Sequence, residues 1–258
     1  MEIPKIIHYC WFGDNEKSDE IKKYIKTWEK MKGYKIIEWN ESNCNFDENE
    51  FVKNAYKLKK WAFVSDYIRL KVLYQYGGIY LDTDVEVLKS FDDLLINDMF
   101  LGFIYDCSIG TAVIGAKKNN KILKELLQLY NEADISLNNG KIITNFKIKD
   151  KINIVNNNDL FTYYLIHNYP QFELRNIYQE LDKLTIYPKE YFEQPSFIKG
   201  KNYSIHHCHG SWWKTKPGKK STIGELITKC IGNTLYSKIQ CKRKIKKLPY
   251  YTVMKKSK

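Results

Sequence analysis

The chain has 258 residues, of which 43% are hydrophobic, which is enough to build a substantial apolar core. Its formal net charge is +12, but nine of the basic residues lie in residues 238–258, where no acidic residue occurs. The charge excess therefore belongs mainly to a tail, and we do not expect the body to bind nucleic acid. The sequence predicts one domain over residues 1–237 and a basic tail over residues 238–258.

The cellular compartment is indicated by three features. The chain contains no apolar run of about 18 residues, and its N-terminal stretch lacks a basic leader with a cleavage site. The six cysteines include no CxxC pair. We expect a cytoplasmic protein. Its tail, which interleaves cations with apolar residues, either rests on the anionic inner face of a membrane or is a solvated terminus.

The predicted elements alternate between strand and helix. The apolar segments "KIIHYC" and "YKIIEW" flank a charged helical stretch over residues 19–32. A second helix covers residues 61–76, and Gly77-Gly78 ends it before "IYLDTD". Further strands are predicted for "VEVLKS", "MFLGFIY", "TAVIGA", "KLTIYP" and "NYSIHHCH", with a helix over residues 119–133 and loops or an insertion over residues 134–158. This alternation predicts a mostly parallel α/β sheet covered on both faces.

Two carboxylates follow the strand "GGIYL". Asp82 and Asp84 are two residues apart, and at a strand end both side chains can approach one point. Two like charges held close together need a cation, and Mg²⁺ or Mn²⁺ suits carboxylate oxygens and substrate phosphates. The alternative is an acidic turn in which Asp82 caps the turn and Asp84 is solvated.

Three of the five histidines fall in "SIHHCHGSWWK". Consecutive residues of a strand face opposite sides, so His207 and His209 share one side while His206 and Cys208 share the other. A closed zinc site with four ligands is therefore disfavoured.

The segment "SDYIRLKVLYQYGGIYLDTDV" closely resembles the signature of the family 32 glycosyltransferases, which include bacterial capsular and lipopolysaccharide sugar transferases, initiating mannosyltransferases and clostridial toxin glucosyltransferase domains. The segments "IPKIIHYCWFG", "GTAVIGAKKNNKIL" and "IHHCHGSWW" agree with the family in the same order. The resemblance implies a GT-A fold, with a Rossmann-like sheet flanked by helices, and a metal-dependent transferase that retains anomeric configuration.

The resemblance also implies the catalytic and donor-binding roles. Asp84 would bind Mn²⁺ or Mg²⁺ directly, and Asp82 would reach the ribose, or the ion through water. Asp66 and Arg69, three apart on one helix face, would bind donor-sugar hydroxyls, and without the family they would read as a surface ion pair. Trp11 would stack on the nucleotide base.

The C-terminal motif supplies the remaining predicted site residues. By resemblance a late histidine completes the metal shell, and we assign His207, although Cys208 and His209 depart from the family pattern and leave His206 and His209 open. Ser211 and Trp212 would close over the diphosphate, and Lys214 would add positive charge. His8, in the first strand, is interpreted as a core histidine with a hydrogen-bond partner.

The predicted function is transfer of a hexose from a UDP- or GDP-sugar to a glycan or lipid-linked glycan acceptor, such as a bacterial surface polysaccharide or lipopolysaccharide. Two alternatives remain: a non-catalytic nucleotide-sugar binding module, and a DxD phosphohydrolase. The second is disfavoured because its motif lies near the N-terminus of its fold, and here 80 residues precede it.

Overall fold

The computed structural model of the chain describes residues 2–148, 153–208, 235 and 239–256. The strands are β1 (Ile6–Cys10), β2 (Lys35–Trp39), β3 (Gly78–Leu81), β4 (Val85–Val87), β5 (Met99–Tyr105), β6 (Ser108–Ala116), β7 (Asp134–Asn138), β8 (Lys141–Asn145), β9 (Gln179–Leu181), β10 (Leu184–Tyr187) and β11 (Ser204–His206). The helices are α1 (Asp19–Trp28), α2 (Glu50–Lys57), α3 (Trp61–Tyr76), α4 (Lys121–Asn131), α5 (Asn157–Asn168), α6 (Lys189–Phe192), α7 (residues 239–245) and α8 (Tyr251–Lys256).

A seven-stranded sheet forms the centre of the molecule, with the strand order β2-β1-β3-β6-β5-β10-β9. The strands β1, β2 and β3 are parallel, as are β5 and β10, whereas β6 runs antiparallel to both of its neighbours and β9 runs antiparallel to β10. The strands β1, β2, β3, β5 and β10 therefore all run in one direction. This confirms the predicted α/β class, a Rossmann-like and mostly parallel sheet flanked by helices.

Apolar side chains cover both faces of this sheet. Every residue of β3 and β6 is buried, as expected for strands packed on both sides. One apolar cluster joins α2, α3, α4 and α5 to the sheet, and a second includes Trp28 of α1 and Phe91. The central strands β3 and β6 are consequently closed to solvent along their length.

The described parts of residues 134–168 are more regular than the sequence predicted. The strands β7 and β8 form a hairpin, and its turn residues Asn139 and Gly140 have φ values of 47° and 76°. Positive φ at both positions is what a tight hairpin turn of this type requires. The helix α5 follows, and the side chain of Asn156 caps it by accepting a hydrogen bond from the Asp159 N–H.

The described part of the tail packs against the body. Tyr250 is fully buried, and its hydroxyl donates to the carbonyl of Asp159 at 3.0 Å. Cys241 and Ile245 of α7 are also buried, whereas residues 242–244, 246 and 247, all basic, are exposed. None of the described helices is long and apolar enough to cross a bilayer. The boundary at residue 238 stays a prediction.

Candidate active site

The two aspartates lie at the edge of the sheet where β1 and β3 end. These strands pair in parallel, with Ile7 opposite Ile79 and His8 opposite Tyr80. The N–H of Asp82 donates to the Ala112 carbonyl at 2.9 Å, which keeps Asp82 in line with the sheet. The N–H of Val85 then donates back to the Asp82 carbonyl at 3.0 Å and closes a turn. This turn brings the two carboxylates close together just after the end of β3.

A histidine lies beside these two carboxylates. Ligand atoms of Asp82, Asp84 and His206 all lie within 4.8 Å of one another. His206 Nε2 is 3.2 Å from Asp84 Oδ1, because β11 pairs antiparallel with β4 and sets His206 opposite Val85. Two carboxylates and one imidazole are hard or intermediate ligands that suit a divalent cation. The donor set therefore fits the cation expected from the sequence.

His207 faces a different set of residues. Its Nε2 lies 2.9 Å from Glu86 Oε2, and its ring stacks on Tyr24 with centroids 4.6 Å apart. Its backbone N–H donates to the Asp84 carbonyl at 3.0 Å. The histidine brought to the aspartates is thus one residue before the predicted one, because neighbouring strand residues face opposite sides. The pairing of β11 with β4 fixes this register, and the sequence alone does not reveal that pairing.

Arg69 joins the helix α3 to the aspartates. Its Nη2 lies 3.2 Å from Asp66 Oδ1 and 3.1 Å from Asp82 Oδ1, and its Nη1 donates to the Thr111 carbonyl at 2.7 Å. Asp66 and Arg69 are both buried, so they are not the surface ion pair that was the alternative. Burial raises the pKa of Asp66 to about 6, although the positive charge of Arg69 acts to lower it. The helix α3 thus places the positively charged guanidinium of Arg69 next to Asp82.

Two asparagines at the start of α5 extend this network, and neither was predicted as a site residue. Asn157 donates its side-chain N–H to the Asp66 carbonyl at 2.7 Å, and its backbone N–H donates to Asp66 Oδ2 at 3.2 Å. Asn158 Oδ1 accepts from the hydroxyl of Thr111 at 2.6 Å. The only available signal was "NNND", a helix-capping composition before an apolar run.

His206 itself sits between acidic neighbours. Its Nδ1 is 2.6 Å from Glu193 Oε2, on the side of the ring opposite Asp84. Burial opposes the charged form, but Cys208, Asp84 and Glu193 together raise the pKa of His206 well above its ordinary value. Glu193 was not predicted as a site residue, since nothing near it in the chain marks it.

His8 lies within β1, and Trp11 lies just after it. Trp11 follows the strand, is half-buried, and donates its indole N–H to the Asn15 carbonyl at 2.8 Å. It lines an open groove of about 430 Å³ together with Lys17. His8 is fully buried, accepts from Trp39 Nε1 at Nδ1 (3.1 Å), and donates from Nε2 to the Gly77 carbonyl at 2.8 Å. His8 is a core histidine, as predicted.

The predicted residues Ser211, Trp212 and Lys214, together with His209, lie outside the described residues. Their roles stay predictions. The same is true of the stacking of Trp11 on a base.

Known proteins are similar in sequence to the part of the chain that contains the two aspartates. The family model described as the glycosyltransferase sugar-binding region containing the DXD motif matches residues 18–101, which include α3, β3 and both aspartates. An uncharacterized glycosyltransferase of Acanthamoeba polyphaga mimivirus is 31% identical over 135 residues, covering 46% of this chain and 52% of that protein.

Inositol phosphoceramide mannosyltransferase 1 of Schizosaccharomyces pombe is 27% identical over 111 residues, covering 39% of this chain and 34% of its own. Among solved structures, the PaToxG glycosyltransferase has a TM-score of 0.43 and 23% identity, over 50% of this chain and 60% of that chain. The chain spans about half or less of the length of these two curated relatives. The match to this family model agrees with the resemblance seen in the sequence: residues 18–101 are similar to the DXD-containing sugar-binding region of glycosyltransferases.

Proposed function

We propose that the protein is a metal-dependent glycosyltransferase that moves a hexose from a nucleoside-diphosphate sugar to an acceptor hydroxyl. The observation that carries this proposal is the cluster of Asp82, Asp84 and His206, whose two aspartates follow β3 within the segment that matches the sugar-binding region. The ends of strands in an open α/β sheet are where such folds bind their ligands.

Asp82, Asp84 and His206 are the residues that would hold the cation. Carboxylates suit Mg²⁺ and Mn²⁺, and an imidazole is a ligand of first-row transition metals, so the mixed set favours Mn²⁺. When bound, the cation supplies positive charge that stabilises the diphosphate as the glycosidic bond breaks.

Asp66 and Arg69 are proposed to hold the donor sugar. The Arg69 fork is already fixed by Asp66, Asp82 and the Thr111 carbonyl, so it needs no reorganisation when a substrate arrives. Asn157 holds Asp66 in turn through two hydrogen bonds. This fixed network supports a role in orienting a sugar ring.

We propose retention by attack from the face that the diphosphate leaves. The acceptor oxygen forms a bond to the anomeric carbon while the bond from that carbon to the diphosphate oxygen breaks and its electron pair leaves with the diphosphate. The acceptor proton passes to a departing phosphate oxygen. Asp66 and Asp82 are both engaged by Arg69, and Glu193 by His206, which disfavours a protein carboxylate as nucleophile.

The substrate class rests on the relatives. Two of them in Schizosaccharomyces pombe are named inositol phosphoceramide mannosyltransferases, which supports a hexose donor and a lipid-anchored acceptor. The proposed donors are UDP- or GDP-hexoses. The proposed acceptors are glycans or lipid-linked glycans, including the surface polysaccharides and lipopolysaccharides that the sequence resemblance favours.

A donor panel tests the proposal. UDP- and GDP-hexoses are screened with and without Mn²⁺ for an increase in melting temperature, since a ligand stabilises the fold according to its affinity. The best donor is then assayed for release of the free nucleoside diphosphate. We expect one donor to stabilise the protein only with Mn²⁺ and to be turned over, and Asp84→Asn to abolish both effects. Stabilisation without turnover, with an acceptor mixture present, would instead indicate a binding module.

A further inference from the structure

Glu193 stands directly behind His206. Its side chain is nearly inaccessible, and its Oε2 lies 2.6 Å from His206 Nδ1. On the other side of the imidazole, Nε2 lies 3.2 Å from Asp84 Oδ1. The ring is therefore held between a buried carboxylate and the proposed cation site, with one nitrogen turned to each.

The position of Glu193 is fixed by three parts of the chain. Glu193 is the C-terminal cap of α6, and its carbonyl accepts from the His206 N–H at 3.2 Å. On β6, Gly110 leaves space for the carboxylate, because a Cβ there would lie 2.4 Å from Glu193 Oε1. A helix end, a central strand and the strand carrying His206 thus meet at one carboxylate.

We propose that Glu193 is a positioning residue that fixes the tautomer and orientation of His206 for cation binding. By accepting the hydrogen bond from Nδ1–H, the Glu193 carboxylate leaves Nε2 as the nitrogen that faces the aspartates and that would bind the cation in its deprotonated form. Histidines that bind metals are commonly held in this way, and loss of the outer carboxylate typically weakens metal affinity 10- to 100-fold. The inference rests on the proposed cation site.

A purely structural ion pair is the competing explanation for this contact. Such a pair would stabilise the fold but leave cation affinity unchanged once the protein is folded. Glu193→Gln separates the two explanations, because the amide keeps the shape but loses the charge that holds the hydrogen on Nδ1. Gly110→Ala tests the same carboxylate from the opposite side, since the new methyl group must displace Glu193.

The experiment measures the binding of Mn²⁺ alone to the full chain, by the loss of the electron paramagnetic resonance signal of free Mn²⁺. We expect Glu193→Gln and Gly110→Ala each to weaken binding at least tenfold, and His206→Ala to weaken it at least as much. The double variant Glu193→Gln/His206→Ala should bind no more weakly than His206→Ala, because Glu193 acts only through the histidine. Melting curves establish that each variant is folded.

Glu190→Gln is the matched control. Glu190 lies on the same short helix and accepts from Asn176 Nδ2 at 3.1 Å, so its loss should leave Mn²⁺ affinity within twofold of wild type. If Glu193→Gln binds Mn²⁺ like the wild type while His206→Ala does not, the positioning role is refuted and the cation site stands. Independent, multiplying losses in the double variant would refute it as well. If the wild type itself shows no saturable Mn²⁺ binding, the proposed function fails instead.

Discussion

At the scale of single residues, Arg69 sets the charge balance of the site. It contacts Asp66, Asp82 and the Thr111 carbonyl, and its guanidinium lies 4.5 Å from the centroid of the Tyr80 ring. A guanidinium can serve all of these partners because it is planar and carries five donors in a fixed fork, whereas an ammonium group is a single point charge. Its surroundings therefore specify arginine and not merely a cation.

Arg69→Lys should consequently impair both activity and stability. The lysine cannot bridge Asp66 and Asp82 while reaching Thr111, so a buried carboxylate is left without its partner. We expect the free energy of unfolding to fall by about 3 kcal/mol. We also expect kcat/KM for the best donor to fall at least 100-fold. Urea unfolding and initial transfer rates measure the two effects.

The matched control for that variant is Arg175→Lys. Arg175 makes an exposed pair with Glu173 at 2.9 Å, so this change should alter neither quantity appreciably. Full activity in Arg69→Lys would show that the fork is not needed.

His8 makes a prediction about pH. Burial lowers the pKa of His8 to about 4, with the Gly77 carbonyl opposing that shift. In the unfolded chain the imidazole titrates near 6.5, so between these pH values the unfolded state binds a proton that the native state does not. The free energy of unfolding should therefore fall by roughly 3 kcal/mol from this residue as pH drops from 7 towards 4.

The pH prediction is checked with His8→Gln, because other groups titrate in the same range. Burial raises the pKa of Asp66 and of Asp159 to about 6, and these two carboxyls change stability in the opposite direction. The difference between wild type and His8→Gln in urea unfolding cancels their contribution. We expect that difference to shrink as pH falls from 7 to 4.5. A constant difference would mean that His8 does not titrate as proposed.

At the scale of elements, sequence patterns predicted those helices and strands that local interactions determine. The helix α3 and the strand β3 were read correctly, because a 3.6-residue repeat and a glycine pair are visible in sequence. The helix α5 was missed because Leu160, Phe161, Tyr163 and Tyr164 are all buried, so it has no polar face to give a periodic signal.

Local sequence patterns could not show which histidine faces the aspartates, and the reason is different. The strand β11 has three residues, and only its pairing with β4 decides that His206 and not His207 turns to the aspartates. A one-residue slip in a strand exchanges its two faces. The roles of Glu193 and Asn157 likewise depend on contacts between distant segments.

The pairing of β5 with β6 yields a prediction at this scale. Gly115 of β6 lies under Phe100 of β5, and a Cβ there would be 2.0 Å from Phe100 Cε1. Gly115→Ala must push a buried ring aside, so we expect a loss of about 3 kcal/mol in urea unfolding. Gly140→Ala is the comparison: its Cβ would meet nothing within 4 Å, and only its φ of +76° is unfavourable. That change should cost about 1 kcal/mol, and equal losses would contradict the packing argument.

At the scale of the whole molecule, the basic tail has two distinct faces. Tyr250, Cys241 and Ile245 are buried against the body, whereas the cations between them are exposed. Ile245 and Tyr250, two of the apolar residues that could have contacted a membrane, are therefore already used in folding, whereas Ile239 is exposed. What is left for an anionic surface is mainly charge, which salt screens.

Two variants should separate these faces. Tyr250→Ala removes a fully buried ring and its hydrogen bond to Asp159, so we expect it to lower the free energy of unfolding by about 4 kcal/mol. Replacing the five exposed cations of residues 242–247 with glutamine should leave that free energy nearly unchanged. It should weaken binding to phosphatidylserine vesicles at least tenfold at low salt, and the wild type should lose the same binding at high salt. Urea unfolding and vesicle co-sedimentation measure the two properties, with Tyr250→Phe as the control that keeps the ring. If the glutamine variant sediments with vesicles as the wild type does, the tail is a structural part of the domain and does not contact membranes.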